Sequence, residues 1–377
     1  MRRRAPIPGC CWPASWTRCA PCSPCGSSRP VSEAAGRSRF VEASLARYKE
    51  LTMARLLEYL PSKEPRRYLY DLLPVYPLRS GKGLRPALCI AACCAFGGEV
   101  RRVLESAVAI ELYHNAFLIH DDIEDGSESR RGLPTLQADQ GLAVALNVGD
   151  AMQVLCIRLL LNNLGIVGPQ LTWRIVNEIE HMVCQTVEGQ ALELGWVRDN
   201  VAELSEEDYL RMVLKKTCWY TCMHPLRIGA LVAGGGAIAL ERFDRFGYYM
   251  GAAFQIQDDI LNLDADEGKY GKEINGDLWE GKRTLMLIHT VGHASDGEKQ
   301  RIRDFLSVPR AARRQAEVDW LRATMDKYDS IAHARSSARQ LAGAALHEFD
   351  QHFGALPDSE HKRFLREVVL YMIERDL

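Results

Sequence analysis

A run of carboxylates begins at Asp121, directly after an apolar segment. At 3.6 residues per helical turn, Asp121 and Asp125 lie one turn apart on one face with Asp122 beside them, so their like charges repel. Carboxylate oxygens in a partly dry setting suit Mg²⁺, which keeps waters and binds through carboxylates and substrate phosphates. Arg130 and Arg131 follow, and their guanidinium groups match phosphate oxygens. Taken alone, the stretch is better explained as an acidic helix end on the surface, so the rest of the chain must decide.

A second polar stripe interrupts an apolar helix near residue 258. Gln255, Asp258, Asp259 and Asn262 share one face of this helix. A core helix carries such groups only where they find partners. If the two acidic helices face each other, their oxygen-bearing side chains converge on one cavity. Two unrelated surface patches are the alternative, which the apolar context of both clusters disfavours.

Basic side chains recur around these clusters. Lys82 and Arg85 stand in a glycine-bearing loop at a helix entrance, where backbone N–H groups and the helix dipole also favour anions. Each lysine taken singly is best explained as a solvated surface charge. In combination with two carboxylate clusters, they indicate chemistry on one diphosphate or on two. The further candidates are Lys216 beside Thr217, and Lys269, Lys272 and Lys282 after the second cluster.

The elements that must position these residues are helices. Apolar residues recur at three- and four-residue spacing from residue 33 onward, and we find no sustained alternation of period two. The central helices are apolar on most faces, which predicts a single-domain all-α bundle over residues 33–377 around a central active-site cavity. Gln190 and Glu193 continue an inner stripe of one of these helices. The predicted central helices span 99–125, 148–164, 170–195, 206–233 and 240–264, with several shorter ones after 283.

Residues 1–32 differ in composition from the rest of the chain. They are rich in Arg, Pro, Ser and Cys, and the first acidic residue is Glu33. Cys19, Cys22 and Cys25 have metal-like spacing but no fourth ligand nearby, which favours a disordered extension over a metal site. An organellar transit peptide and a start codon placed too far upstream are the other interpretations.

Composition excludes several classes of function. The chain has 377 residues, 47% hydrophobic and 25% charged, as in a soluble globular protein. A net charge of -2 gives no basic field for nucleic acid. No uninterrupted apolar run reaches about 18 residues, so we do not expect an integral membrane protein. Seven of the twelve cysteines are scattered through apolar helical patterns, which favours a reducing, cytoplasmic location, or an organelle if the N-terminus is a transit peptide.

Together these residues resemble the trans-isoprenyl diphosphate synthases, or polyprenyl synthetases, strongly over residues 75–290. Three positions depart from the usual pattern: Asn262 ends the second motif, Glu193 replaces an aspartate, and Ser80 replaces a glycine. The amide oxygen of Asn262 can still face the site. The matching motifs, in the family's order, are Gly81–Pro86 (GKGLRP), Asp121–Asp125 (DDIED), Arg130 with Arg131, Gly189–Glu193 (GQALE), Lys216 with Thr217, and Asp258–Asn262 (DDILN) after Phe254 and Gln255.

The resemblance implies an Mg²⁺-dependent condensation of isopentenyl diphosphate with an allylic diphosphate (dimethylallyl, geranyl or farnesyl), with about three Mg²⁺ ions per active site. It also implies a homodimer. Metal ligation and catalysis fall on Asp121, Asp122, Asp125, Asp258 and Asp259. The departing diphosphate is neutralised by Arg130, Lys216 and Lys272, and the isopentenyl diphosphate is held by Lys82, Arg85, His114 and Arg131. The other substrate-binding positions that match the motifs are Thr217, Gln255 and Lys282.

The length of the product depends on the residues below the first motif. Ala116 and Phe117 lie one turn before Asp121, and Tyr113 lies one turn below Phe117. Farnesyl synthases typically block the pocket for the growing chain at this level with a bulky residue at the position of Ala116. A small residue there predicts a twenty-carbon product, geranylgeranyl diphosphate. Phe117 and Tyr113 would partly close the end of the pocket.

Other kinds of protein that share some of these motifs remain alternatives. A farnesyl or longer-chain synthase would share the same motifs. A class I terpene cyclase shares the first acidic motif, but we do not find its Asn/Ser/Glu metal motif near residues 258–266. A non-catalytic partner subunit of a synthase heteromer is expected to lose acidic motif residues, and both clusters remain here.

Overall fold

The structure is a computed structural model that describes residues 31–79, 81–235, 237–264 and 275–374. These residues are almost entirely helical, as predicted. The α-helices are α1 (Val31–Tyr59), α2 (Leu84–Ala95), α3 (Val100–Asp125), α4 (Leu136–Gln140), α5 (Leu142–Ile166), α6 (Pro169–Arg198), α7 (Glu206–Val213), α8 (His224–Ala233), α9 (Arg242–Asp264), α10 (Gly276–Glu280), α11 (Leu285–His293), α12 (Asp296–Ser307), α13 (Gln315–Lys327), α14 (Ser330–Phe353) and α15 (Glu360–Ile373). Two π-helices (Arg66–Tyr70 and Leu214–Met223), a 3₁₀ turn (Arg310–Ala312) and two short strands, β1 (Ser129–Arg130) and β2 (Leu133–Pro134), complete the described elements.

The predicted central helices are present with small shifts at their ends, except for one. The helix expected over 206–233 divides into α7, the second π-helix and α8. The pattern did not reveal this division, because a π-turn adds one residue to a turn without removing any apolar position. The antiparallel β1–β2 pair directly after α3 was also not expected.

Local sequence explains where the helices that carry the site begin and end. α3 ends at Gly126, whose φ of 64° closes the helix directly after the first acidic motif. α2 begins after Gly83, whose φ of 61° turns the basic loop into the helix. α7 begins with a capping box in which Ser205 and Asp208 satisfy each other's backbone N–H groups.

The core is a layered set of helices around α3. α3 packs on α5 and α2, α2 packs on α8, and α9 packs on the second π-helix and α14. Close approach of these helices depends on glycine at two contacts. A Cβ at Gly229 would overlap the carbonyl oxygen of Cys89, and a Cβ at Gly251 would lie 2.8 Å from the Cα of Cys218. These contacts bring α8 and the π-helix against their neighbours and leave the central space to the polar stripes.

The outer face of α5 is apolar and exposed. By length and composition, α5 is the one helix in the described ranges that could cross a membrane, and 39% of its most apolar window is buried inside the molecule. The helix nevertheless packs against α3 as part of the bundle. Its exposed apolar side chains are Leu142, Leu146, Val154, Ile157, Leu161, Leu164 and Ile166.

A buried charged network joins α6, α8 and α9. Arg227 donates hydrogen bonds to Glu178 (2.7 Å) and Asp244 (2.7 Å), and His224 Nδ1 lies 2.8 Å from Glu178 Oε2. Burial alone would raise the pKa of Glu178, but Arg227 and His224 outweigh it and hold that pKa low. Burial lowers the pKa of His224 to about 4, so this imidazole is neutral in the folded protein at neutral pH.

We expect the network to make stability depend on pH in mildly acidic solution. The unfolded chain protonates His224 at its ordinary pKa of 6.5, above the value in the folded state. The free energy of unfolding should therefore fall by about 2 kcal/mol between pH 7 and pH 5 through this residue. Urea unfolding at both pH values measures the change. His224→Gln should reduce the dependence, and an equal dependence in that variant would contradict the assignment.

Candidate active site

One cavity of about 710 Å³ collects most of the predicted site residues. Its walls come from α3, α6, the second π-helix, α9, α15 and the loop before α2. Lys272 and Lys269 lie outside the described residues. The predicted residues that line the cavity are Lys82, Arg85, His114, Phe117, Asp121, Arg130, Arg131, Lys216, Thr217, Gln255, Asp258, Asp259 and Lys282.

Asp122 is the buried residue that anchors the first motif. Its side chain is 1% exposed, accepts 2.8 Å hydrogen bonds from Arg130 Nε on both oxygens, and accepts one of 2.5 Å from the Tyr76 hydroxyl. Burial alone would lower the pKa of Arg130, but Asp122 outweighs it and raises that pKa, so the guanidinium stays charged. Arg130 Nη2 also reaches Asp121 at 3.3 Å. Asp122 thus holds Arg130 in the wall of the cavity.

Lys216 bridges the first motif and α6. Its ammonium pairs with Glu193 and lies 3.5 Å from Asp121 Oδ1. Burial alone would lower the pKa of Lys216, but the two carboxylates outweigh it and raise that pKa. Glu193, predicted to lie on the inner stripe of its helix, holds this lysine.

Asp125 lines a smaller neighbouring pocket rather than the main cavity, and it is paired there with Lys282. Lys282 Nζ lies 2.7 Å from Asp125 Oδ2 and 2.7 Å from Glu280 Oε2. Burial raises the pKa of Asp125, and the Lys282 ammonium offsets only part of this rise. A cation at this position therefore stabilises the ionised carboxylate.

The second motif is held by uncharged donors. The Tyr209 hydroxyl donates to Asp259 Oδ2 at 2.7 Å, and Gln255 Nε2 donates to Oδ1 at 2.8 Å. The Thr217 hydroxyl donates to Gln255 at 2.8 Å, which links the π-helix to this set. Burial raises the pKa of Asp259 to about 7, although both hydrogen bonds oppose the rise. Asp258 lies beside it in the cavity wall.

Asn262 uses its amide oxygen at a junction between helices. Its Oδ1 accepts the backbone N–H of Asp277 at 3.0 Å, and its own carbonyl accepts that of Asn275 at 2.8 Å. The residue therefore joins the end of α9 to the start of α10. A helix-period pattern places Asn262 on the stripe but does not show that a later backbone N–H takes its oxygen.

A second basic group lines another part of the same cavity. Arg85 donates to the Tyr220 hydroxyl (2.6 Å) and to Thr221 (2.9 Å), and its guanidinium carbon lies 4.2 Å from the centre of the Tyr220 ring. His114 Nε2 lies 3.2 Å from Arg85 Nη1. The predicted pairing of these two residues in one binding surface is consistent with this geometry.

Arg131 completes this group from the turn between β1 and β2. Its φ of 57° is the left-handed conformation, and its guanidinium lies against Gly81, where a Cβ would approach it to 2.8 Å. Glu111 also lines this part of the cavity. Burial raises the pKa of Glu111, and Arg85 and Arg131 offset part of the rise. A surplus of positive charge here suits a diphosphate.

The apolar wall of the cavity contains one of the three residues that were predicted to determine the length of the product. Phe117 lines the cavity and packs edge-on against Tyr220, with ring centres 5.8 Å apart. Among the described residues that line it, Tyr113 and Ala116 are absent, and Ala116 is fully buried in the core. The roles of these two residues in product length stay predictions.

Several residues of the site were not predicted from the sequence. Tyrosines in apolar patterns read as core residues, and only the fold shows that their hydroxyls reach motif carboxylates or an arginine. A histidine and a glutamine also enter the wall, and Gln153 Nε2 lies 3.3 Å from His120 Nδ1. The unpredicted residues are Tyr76, Tyr209, Tyr220, Glu280, His120 and Gln153.

The donor set fits Mg²⁺ in the mode in which the ion is shared with a substrate. Within the described ranges, no three His, Cys, Asp or Glu side chains already form a group that could hold a metal. Asp121, Asp125 and Asp258 instead offer hard oxygens beside ammonium and guanidinium groups. Mg²⁺ commonly binds through one or two carboxylates plus substrate phosphates rather than in an all-protein cage. The arrangement can therefore bind one diphosphate through metals and a second through the Arg85 group.

Comparison with known proteins supports this chemistry. The family model described as polyprenyl synthetase matches residues 66–325. Octaprenyl diphosphate synthase of Haemophilus influenzae is 30% identical over 78% of this chain and 85% of its own length. The crystal structure of geranylgeranyl pyrophosphate synthetase from Pyrococcus horikoshii is similar with a TM-score of 0.77 and 30% identity, over 89% of this chain and 99% of that one.

A further solved structure carries ligands. Geranylgeranyl pyrophosphate synthase from Corynebacterium glutamicum, complexed with isoprenyl diphosphate and magnesium, has a TM-score of 0.76 at 24% identity, over 90% of this chain and 99% of that one. At this identity the likeness concerns the fold alone.

We expect Gly189 to be required for the position of Lys216. A Cβ at Gly189 would overlap the backbone nitrogen of Lys216, so Gly189→Ala must move the π-helix or α6. Calorimetric titration with inorganic diphosphate and Mg²⁺ should show affinity reduced about tenfold, since a charged hydrogen bond contributes about 1.5–3 kcal/mol. Gly195→Ala is the matched control on the same helix, because no atom lies within 4 Å of its added Cβ. Equal affinities in the two variants would contradict this role.

Proposed function

The chain belongs to the polyprenyl synthetase family, the trans-isoprenyl diphosphate synthases, and we propose that its cavity condenses isopentenyl diphosphate with an allylic diphosphate. The observation that carries this proposal is the presence in one cavity of Asp121, Asp258 and Asp259 from the two acidic motifs and of a separate Arg85–His114–Arg131 group. A single diphosphate would need only one of these sets. The reaction class is prenyl transfer.

The bond changes follow from the two substrates. The allylic C1–O bond breaks and inorganic diphosphate leaves with the electron pair. The terminal carbon of the isopentenyl double bond attacks C1 and forms the new C–C bond. The neighbouring CH₂ of the isopentenyl unit then loses a proton, which the released diphosphate accepts, and a new double bond remains. Bound Mg²⁺ would supply charge neutralisation of the leaving diphosphate, held by Asp121, Asp125 and Asp258.

This chain's own cations prepare the site for the leaving group. Arg130 and Lys216 are fixed by Asp122 and Glu193, so little reorganisation is needed when negative charge develops. Lys282 is held by Glu280 and stands beside Asp125. Phe117 and its apolar neighbours exclude water from the allylic cation.

We further propose a twenty-carbon product. The small Ala116 one turn before the first motif supports a product longer than that of a farnesyl synthase, and Phe117 is the aromatic residue of this turn that lines the cavity. The related proteins differ in product: the Pyrococcus horikoshii enzyme is a geranylgeranyl synthetase and the Haemophilus influenzae enzyme an octaprenyl synthase. Geranylgeranyl diphosphate is therefore the proposal, with farnesyl and longer products as the alternatives.

Product sizing tests the function directly. Purified protein is incubated with Mg²⁺, labelled isopentenyl diphosphate and each allylic starter in turn, and the products are separated by length. We expect a dominant twenty-carbon diphosphate and no turnover with excess chelator. A dominant fifteen-carbon product would exclude the chain-length proposal. A cyclic hydrocarbon formed without isopentenyl diphosphate would support the terpene cyclase, and no turnover at all would support the partner subunit.

We expect Phe117→Ala to lengthen the product. The substitution removes the aromatic wall that meets the cavity, so the growing chain can pass one turn further along α3. Mass spectrometry of the products should show species beyond twenty carbons. Phe96→Ala is the control, since Phe96 packs in a separate aromatic cluster with Phe243 and Phe353. The same product distribution in wild type and Phe117→Ala would place the tunnel elsewhere.

We propose a homodimer formed through the exposed face of α5. Contiguous apolar side chains on a surface are typical of interaction sites, and the resemblance implies a second copy of this chain as the occupant. Sedimentation equilibrium should report a dimer for wild type and a monomer for Val154→Glu, which buries a charge in the interface. Val154 is 65% exposed in the single chain, and Tyr68, 68% exposed on the first π-helix, gives the control Tyr68→Glu. A dimeric Val154→Glu would exclude this face.

We propose that the enzyme acts in the cytoplasm. Support comes from the seven cysteines of the described residues, all of which are free thiols and most of which are buried. The predictions for the extension at residues 1–32 concern positions that, up to residue 30, lie outside the described residues.

A further inference from the structure

The loop that carries Lys82 faces the last helix of the chain. Lys82 Nζ lies 5.1 Å from the ring centre of Tyr371 on α15, and both residues line the cavity. Met372 on α15 and Leu45 on α1 line the same side. The first and last helices therefore form one wall of the region that contains Arg85 and its partners. The sequence motifs assign no residue of either helix to the site.

The Tyr371 ring is held in place by a contact with α1. Its side chain is 8% exposed, and its hydroxyl lies 3.4 Å from Glu42 Oε1 on α1. α1 and α15 are joined further along by Arg47 and Glu360 at 2.8 Å and by Tyr48 and His361 at 2.6 Å. The ring thus presents a fixed aromatic face to the cavity.

Lys82 stands in a glycine-bearing loop. It is flanked by Gly81 and Gly83, and Gly83 has a φ of 61°. A lysine has four rotatable side-chain bonds and loses up to about 2 kcal/mol of rotamer entropy when it is fixed. An aromatic face attracts an ammonium group through its quadrupole and limits its positions before a substrate binds.

We propose that Tyr371 is a positioning residue that holds the Lys82 ammonium ready for the diphosphate of isopentenyl diphosphate. The inference rests on the proposed function and deepens it by extending the second substrate's pocket to the C-terminal helix. The ring carries this role, and the hydroxyl fixes the ring through α1. A tyrosine that only packs α15 against α1 would instead affect stability and both substrates alike.

The test compares two substitutions by steady-state kinetics. Tyr371→Leu keeps apolar volume but removes the ring, and we expect the KM for isopentenyl diphosphate to rise about fivefold, equivalent to about 1 kcal/mol. The KM for the allylic substrate should change less than twofold. Tyr371→Phe restores the ring without the hydroxyl and should bring the KM for isopentenyl diphosphate back to within twofold of wild type. Equal effects of Leu and Phe, or equal changes in both KM values, would overturn the proposal.

Two further variants separate positioning from general damage. Tyr328→Leu is the matched control, because Lys327 lies 4.8 Å from the Tyr328 ring outside the cavity, and it should leave both KM values unchanged. In a Lys82→Met background, Tyr371→Leu should add no further rise, since the ring acts through the ammonium. A full additional fivefold rise there would overturn the proposal. Absence of prenyl product from the wild-type protein would instead refute the proposed function itself.

Discussion

The central constraint on this molecule is the cost of placing several carboxylates together in a half-buried cavity. Like charges at this spacing repel, and burial raises the pKa of Asp125 and Asp259. The fold supplies a cation or polar donors for three of these carboxylates: Arg130 for Asp122, Lys282 for Asp125, and Tyr209 with Gln255 for Asp259. These partners come from four different segments, β1, the loop after α10, α7 and α9, so the charge balance of the site depends on the packing of distant parts of the chain.

The position of Lys216 shows how backbone geometry contributes to the charge balance of the site. The lysine stands on a π-helix, whose wider turn changes the direction of its side chains relative to the α-helices at both ends. Gly189 allows α6 to approach the backbone at that point, and Glu193, one turn later on α6, holds the ammonium. An ordinary helix with a larger residue at position 189 would keep these two groups apart.

The sequence was sufficient for the fold class, for the main helices and for the charged residues of the motifs, because helical periodicity and charge in an apolar context are local signals. It was insufficient where a contact joins distant segments. The Tyr76–Asp122 and Tyr209–Asp259 hydrogen bonds span 46 and 50 residues, and no local pattern marks a tyrosine whose hydroxyl is used. The π-helix was missed for a related reason, since its inserted residue leaves the apolar pattern intact.

Asn262 shows that a position within an acidic motif can serve the packing of helices rather than the chemistry of the cavity. Its side-chain oxygen accepts a backbone N–H from Asp277, a task that an amide and a carboxylate perform with the same geometry. Exchange between asparagine and aspartate at this position is therefore governed by the junction of α9 and α10 rather than by the chemistry of the cavity. The identity of the last residue of an acidic motif is therefore, taken alone, a poor guide to whether a related chain is active.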